Sequence, residues 1–159
     1  LTSFIFVKMR LPLKDYILVG IQGLLFLAFI FDVSLTAHQL PLYTTTIGLI
    51  VSVIGIAIFI LSILQLSTSL SPFPTPKADG KLIQTGLYKY IRHPIYTGIL
   101  VCCIGYTVYS SSLYRLIIVA LLFLLFSIKV RYEEEKLTLK FPRYKNYMKT
   151  SGRFFPRLF

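Results

Sequence analysis

The segment Arg92-His93-Pro94-Ile95-Tyr96-Thr97-Gly98 joins a guanidinium, an imidazole and a phenol to the start of an apolar stretch, and Glu133-Glu134-Glu135 follows at the far end of the next one. If the two stretches form a helical hairpin, both clusters come to the same end of it. Carboxylates there suit a cationic ligand group, guanidinium groups suit an anion, and an imidazole or a carboxylate can take up a proton. Pro94 fits the first turn of a helix and biases His93 out of helical geometry, so a helix N-terminus with open amide donors is expected at this point. Tyr96 adds a hydroxyl and a ring, and Gly98 lets a ligand or a neighbouring helix approach closely. Glu134, Leu137 and Phe141 follow i, i+3, i+7 spacing, which predicts that Glu134 faces inward, while Glu135 is placed to pair with Arg131. A plainer reading stays open: Arg92 and His93 meet lipid head groups, Tyr96 belongs to an interfacial aromatic belt, and the acidic run is a solvated helix face.

The elements that must position these groups are membrane helices. Hydrophobic residues make up 55% of the 159 and charged ones only 14%, and the mean hydropathy is +0.73, values that suit an integral membrane protein rather than a soluble domain. Apolar segments fall near residues 16–33, 43–66, 94–109 and 113–130. The first two have the roughly 20 residues that cross a hydrocarbon core. The last two are shorter, and only Ser110-Ser111-Ser112 separates them. No period-two alternation runs through these stretches, so the fold class is all-α: a polytopic bundle of about four transmembrane helices in a single domain, 1–159, with its chemistry in the half 67–159. Continued to Lys140, the fourth helix is longer than the membrane needs and carries its glutamates beyond the lipid. The loop from Ser67 to His93 is long for so small a protein. Pro72, Pro74 and Pro76 stiffen its first part, and Leu82, Ile83, Leu87, Tyr88, Tyr90 and Ile91 place the rest along the membrane interface.

The net charge of +11 sorts by topology. Lys8, Arg10 and Lys14 precede the first segment, Lys77, Lys81, Lys89 and Arg92 lie between the second and third, and the other basic residues follow the fourth, save Arg115. By the positive-inside rule both termini and the central loop are cytoplasmic, and Ser34 to Leu42 lies outside. The excess charge then meets anionic lipid head groups; no basic module or stacking platform for nucleic acid is apparent. The first apolar stretch lacks a small-x-small cleavage site and is expected to be a retained span. Cys102 and Cys103 are adjacent within a segment, without metal-ligand spacing, and read as small packing residues; no metal is expected.

Gly86-Leu87-Tyr88, then Arg92-His93-Pro94-Ile95-Tyr96-Thr97-Gly98, then Glu134-Glu135, Leu137, Phe141, Tyr144, Tyr147, Arg153 and Pro156 together resemble the C-terminal signature of the isoprenylcysteine carboxyl methyltransferase and phospholipid methyltransferase group. The likeness covers about the last half of the chain. Pro142 replaces the family's usual Gly after the Phe, which should end the helix there without disturbing the acidic pair. The resemblance implies methyl transfer from S-adenosylmethionine at the cytoplasmic face. It further implies a cofactor pocket between the third and fourth helices, the preceding loop and the C-terminal segment. His93, Tyr96 and Gly98 would line it, Leu87 and Tyr88 would lie near the adenosine, and Glu134 or Glu135 would meet the cofactor's ammonium group.

A sulfonium methyl is already activated, so transfer needs chiefly alignment and exclusion of water, with no covalent intermediate and no metal. A carboxylate acceptor would need an orienting cation, for which Arg153 is the first candidate and Arg143 the second; both also suit membrane-surface binding. An amine or thiol acceptor would need His93 or a glutamate as proton acceptor. The acceptor expected is lipid-like or prenylated, with the carboxylate of a prenylated cysteine favoured by the resemblance. Two other readings remain: an NADPH-dependent membrane reductase of the sterol type, and a non-enzymatic membrane scaffold.

Overall fold

The computed structural model describes residues 11–31, 33 and 40–157. Lys8 and Arg10, and most of the connection from Ser34 to Leu42, lie outside the described residues. Five α-helices follow in order: α1 Leu13–Ile30, α2 Leu42–Leu66, α3 Pro94–Tyr109, α4 Leu113–Lys140 and α5 Tyr144–Thr150. Three of them, α1, α2 and α4, are long and apolar enough to cross a membrane, whereas α3 has 16 residues and is shorter. The chain is a multi-pass membrane protein. Large apolar side chains such as Leu24, Ile54, Leu64 and Leu124 are exposed on the isolated bundle, as lipid-facing positions should be.

Local chemistry sets the helix ends. Pro12 precedes α1 and Pro41 precedes α2, so each helix begins at a proline; α1, Leu13–Ile30, starts and stops a few residues ahead of the apolar run at 16–33. Pro94 occupies the first turn of α3 with His93 at its cap in a non-helical conformation. Ser112 caps α4 by accepting from the Arg115 amide. At 28 residues α4 is about 42 Å long, beyond the roughly 30 Å of hydrocarbon, and it stops at Lys140 where Phe141 turns extended ahead of Pro142.

Small residues draw α2 and α3 together. Gly48, Ser52 and Gly55 on α2 and Gly98, Cys102 and Gly105 on α3 repeat at i, i+4, i+7, and the two antiparallel rows mesh. A Cβ on Gly48 would lie 2.6 Å from the Tyr109 amide, and one on Gly98 would lie 2.6 Å from the Phe59 amide, so backbone sits where a side chain would be. Such close approach is what drives helix association in lipid, where apolar burial gives no preference for protein over hydrocarbon. On its other side α3 meets α4 in a core of Leu100, Cys103, Ile118, Val119, Leu122, Phe126, Val130 and Phe154. Cys103 is buried and both cysteines are free thiols. At the hairpin end, Arg115 donates to the Phe29 carbonyl in the last turn of α1 at 3.2 Å and lies over the Tyr106 ring, which meets the partial negative charge of that helix end.

At the opposite end the loop and the C-terminal segment fold back. The Arg92 amide donates to the Gly152 carbonyl (2.8 Å), the Gly152 amide to the Tyr90 carbonyl (2.9 Å), and Thr97 Oγ1 to the Phe154 carbonyl (2.7 Å), which pins the tail beside the start of α3. The proline-rich stretch is held as firmly as the apolar part after it. Buried Asp15 accepts from the Thr75 amide at 3.1 Å, Tyr16 meets the edge of Phe73, and Lys129 donates to the Pro72 carbonyl at 2.9 Å.

Candidate functional site

A cavity of about 340 Å³ lies between these folded-back segments and the helix ends. That is within the range of small-molecule sites, roughly 300–1,000 Å³. Its polar wall includes Gln22 of α1, Lys77, Lys81 and Tyr88 of the loop, Arg92, His93 and Tyr96 at the start of α3, and Lys129 and Glu133 of α4; Leu137, Phe141 and Tyr144 form part of the apolar wall.

Glu133 accepts from the Tyr96 hydroxyl at 3.2 Å, and His93 Nδ1 lies 3.9 Å from the same carboxylate oxygen. The rings of His93, Tyr96 and Phe126 stack in a row, with centroids 5.9 and 4.7 Å apart, so Tyr96 has little freedom to turn away. Tyr88 donates to the Ser62 carbonyl at 3.3 Å, and Tyr147 in turn donates to the Tyr88 carbonyl. Burial pushes the Tyr147 hydroxyl up to about 12, against the lowering influence of Arg92 and a hydrogen bond from Ser151. Burial raises Tyr88 and Tyr144 as well, with Glu133 and Glu134 adding to it, so all three phenols stay protonated donors at neutral pH. Tyr144 lines the cavity, and its hydroxyl is buried without a hydrogen bond within the described residues.

Glu134 is the centre of a second, separate cluster. One oxygen accepts from Arg92 Nε at 2.8 Å and lies 3.3 Å from His93 Nε2; the other accepts from Arg153 Nη2 at 2.7 Å and Nε at 3.2 Å. Arg92 also donates to the carbonyls of Met148 and Ser151. Glu134 thus ties the start of α3, the end of α4 and the C-terminal segment into one unit, and its His93 contact links that unit to the cavity wall.

Of the residues expected from the sequence to hold the cofactor, Tyr88, His93 and Tyr96 line the cavity, and of the rest of the signature Arg92, Tyr144 and Tyr147 line it too, as do Leu137 and Phe141. Glu134 faces inward as its spacing predicts, but its oxygens are taken by Arg92, Arg153 and His93 and it does not line the cavity; the acidic group that does is Glu133. Glu135 lies on the exposed face of α4 and Arg143 is exposed ahead of α5, both away from the cavity wall. Gly98 serves the approach of a helix, since its α-carbon faces the Phe59 backbone of α2. Leu87 is half-buried outside the cavity, its amide held by Gln65 Oε1 at 2.8 Å next to Gly86 at φ +60. Arg153 meets Glu134 and keeps about a third of its side chain accessible. Sequence reasoning missed Lys129 and Gln22; a lysine four residues before Glu133, inside an otherwise apolar run, was the available signal. Among the described residues no group of three or more His, Cys, Asp or Glu is placed to hold a metal ion.

The bundle is one of membrane helices with a cavity at the end where the long loop and the C-terminal segment fold back, and comparison with known proteins gives the family. Residues 43–144 match phospholipid methyltransferase, more than half of the chain, and the chain belongs to that family. Two curated relatives are the nickel-cobalt-cadmium resistance protein NccN of Alcaligenes xylosoxydans xylosoxydans, 32% identical over 83 residues, and the cobalt-zinc-cadmium resistance protein CzcN of Cupriavidus metallidurans, 31% identical over 83 residues. Those matches cover 52% of this chain and 39% and 38% of the two relatives. The solved structure of the eukaryotic intramembrane Ras methyltransferase ICMT, isoprenylcysteine carboxyl methyltransferase, is similar in fold, with a TM-score of 0.66 and 19% identity across 93% of this chain and 54% of that one.

Proposed function

We propose that this chain is a membrane methyltransferase that binds S-adenosylmethionine in the cavity and methylates an amphiphilic acceptor drawn from the bilayer. The observation that carries the reading is the Glu133 carboxylate, set in the cavity wall by Tyr96 and faced by His93, in a chain of the phospholipid methyltransferase family. Tyr144 in the cavity wall and the aromatic row fit a ligand with a flat heterocycle and ribose oxygens. S-adenosylmethionine, when bound, supplies a methyl group already activated on sulfur. Glu133 receives the cofactor's ammonium group, and Tyr88 and Tyr144 serve the adenosine end. The folded-back loop and tail exclude water, which sulfonium transfer requires more than any general base.

Glu134 takes a positioning role in this reading, holding Arg153 and Arg92 in place. Arg153 keeps the acceptor-side role: Glu134 fixes the plane of its guanidinium while its accessible edge remains for an anionic head group. With a carboxylate acceptor no proton has to be removed; with an amine or thiol acceptor His93, bonded to Glu134, is the proton acceptor. The basic end of the bundle is cytoplasmic, and the short α3 completes a four-helix crossing. A prenylated cysteine carboxylate and a phospholipid head group are the two acceptor classes to try first. The names of the curated relatives direct the search for the natural acceptor to membranes of metal-exposed cells.

Calorimetry on the purified chain in detergent, with S-adenosylmethionine, S-adenosylhomocysteine and NADPH, tests the cofactor. Binding of the first two with 1:1 stoichiometry is expected. Binding of NADPH alone would overturn the methyltransferase reading in favour of a reductase, and binding of none of the three would leave a scaffold.

A further inference from the structure

We infer that Lys129, oriented by Gln22, receives the carboxylate at the amino-acid end of the bound cofactor, so that Lys129 and Glu133 form a pair of wall charges matched to a zwitterionic α-amino acid head. This rests on the cofactor reading above and adds the residue that would tell the amino-acid end of that cofactor from a bare adenosyl sulfonium. Lys129 is 1% exposed and lies on α4 one helical turn from Glu133, and both face the same cavity. An ammonium inside a membrane helix is costly, and such residues mark polar ligand paths when no structural ion pair accounts for them. Lys129 donates to Gln22 Oε1 at 2.6 Å and to the Pro72 carbonyl at 2.9 Å; both acceptors are neutral. Neither bond is to a carboxylate; the carboxylates of Glu133 and of buried Asp15 act on the ammonium only from a distance. An ammonium has three donors, of which these bonds use two, and the ring of Tyr96, itself a lining residue of the cavity, lies 5.4 Å from Nζ.

Gln22 strengthens the assignment. Only the oxygen of its amide can accept from an ammonium, so its NH₂ group is the free end, and Gln22 itself lines the cavity. An ammonium donor and an amide donor together make a site for a carboxylate. Residues at i and i+4 have Cβ atoms about 5–6 Å apart, so Lys129 and Glu133 flank a head whose two charges sit on one carbon. Gln22 belongs to α1, outside the 43–144 family match, so the carboxylate site draws on a helix that the match does not cover.

S-adenosylmethionine and decarboxylated S-adenosylmethionine differ by that carboxylate, and their affinities for the full chain in detergent test the proposal. The unaltered protein should prefer the carboxylated ligand by about ten-fold or more. Lys129→Met should bring the two ligands to near equality while leaving decarboxylated ligand within about two-fold of its original affinity. Lys129→Arg should keep part of the preference, and Gln22→Leu should lower it. Retained binding of the decarboxylated ligand also reports that each variant is folded; if Lys129→Met binds neither ligand, the ratios in Lys129→Arg and Gln22→Leu decide. A preference that is absent in the unaltered protein, or that survives in the variants because both affinities fall together, would overturn the carboxylate role and leave Lys129 as a strut between α1 and the proline-rich loop. Failure of the unaltered protein to bind either ligand would instead remove the cofactor reading beneath it.

Discussion

Adjacent glutamates on a helix point roughly 100° apart, so Glu133 and Glu134 meet different neighbours and should fail differently. Glu134 is 4% exposed and faces the similarly buried Arg92. Removing one partner of a buried pair costs about 3–5 kcal/mol because the other charge is left unmet, and the more exposed Arg153 adds less. Glu134→Gln is therefore expected to lower the thermal unfolding midpoint in detergent markedly. Glu133→Gln should leave that midpoint near the original and instead weaken S-adenosylmethionine binding by about ten-fold or more. Equal stability of the two variants would contradict the separation of roles. Arg153→Ala, which leaves Arg92 on Glu134, is expected to impair turnover with cofactor affinity near normal; full turnover on an identified acceptor would remove its head-group role. The spacing of Glu134, Leu137 and Phe141 did reveal that Glu134 points inward. It could not reveal that the inward side at that level is filled by Arg153 from a tail that returns to α3, because periodicity within one helix carries no information on which distant segment covers it.

At the scale of elements, the α2–α3 contact depends on glycines that no longer side chain can replace. Gly105→Leu or Gly55→Leu should separate the two helices, since the Cβ of either would overlap backbone of the facing helix. Gly20 and Gly23 on α1 have nothing within 4 Å, so Gly20→Ala is expected to be neutral or to stabilise by up to about 1 kcal/mol. Thermal unfolding of the three variants in detergent checks this, and a tolerated Gly105→Leu would contradict the packing. The bounds of α3 and α4 were legible because Pro94, the serines at 110–112 and Pro142 punctuate the chain. The meshed rows of small residues were present in the sequence too, yet glycine in an apolar run signals close approach only once its partner is known. The order of the proline-rich loop was illegible for the same reason: Asp15, Tyr16 and Lys129, which hold it, are far away in sequence.

For the whole molecule, the cavity and the basic surface of the loop and tail share one end of the bundle, and Arg115 lies at the other. The positive-inside rule then predicts a cytoplasmic site. In a Cys102→Ser, Cys103→Ser background, a cysteine at Leu40 should react with a membrane-impermeant maleimide on intact cells, and one at Lys145 only after permeabilisation. The reverse pattern would invert the topology. An amphiphilic acceptor would then enter from the inner leaflet while the cofactor enters from the cytosol.

The central claim, that the cavity supports methyl transfer to a membrane acceptor, is tested most directly with S-adenosylmethionine carrying a tritiated methyl group. The purified chain and its Glu133→Gln variant are each given a lipid and prenyl-peptide extract, and label in the organic phase is counted. The unaltered chain should transfer label and the variant should transfer much less at a cofactor concentration near its binding constant, with base-labile volatile label marking an ester and base-stable label an amine or thioether. Transfer that is absent with the unaltered chain, or undiminished in Glu133→Gln, would contradict the account.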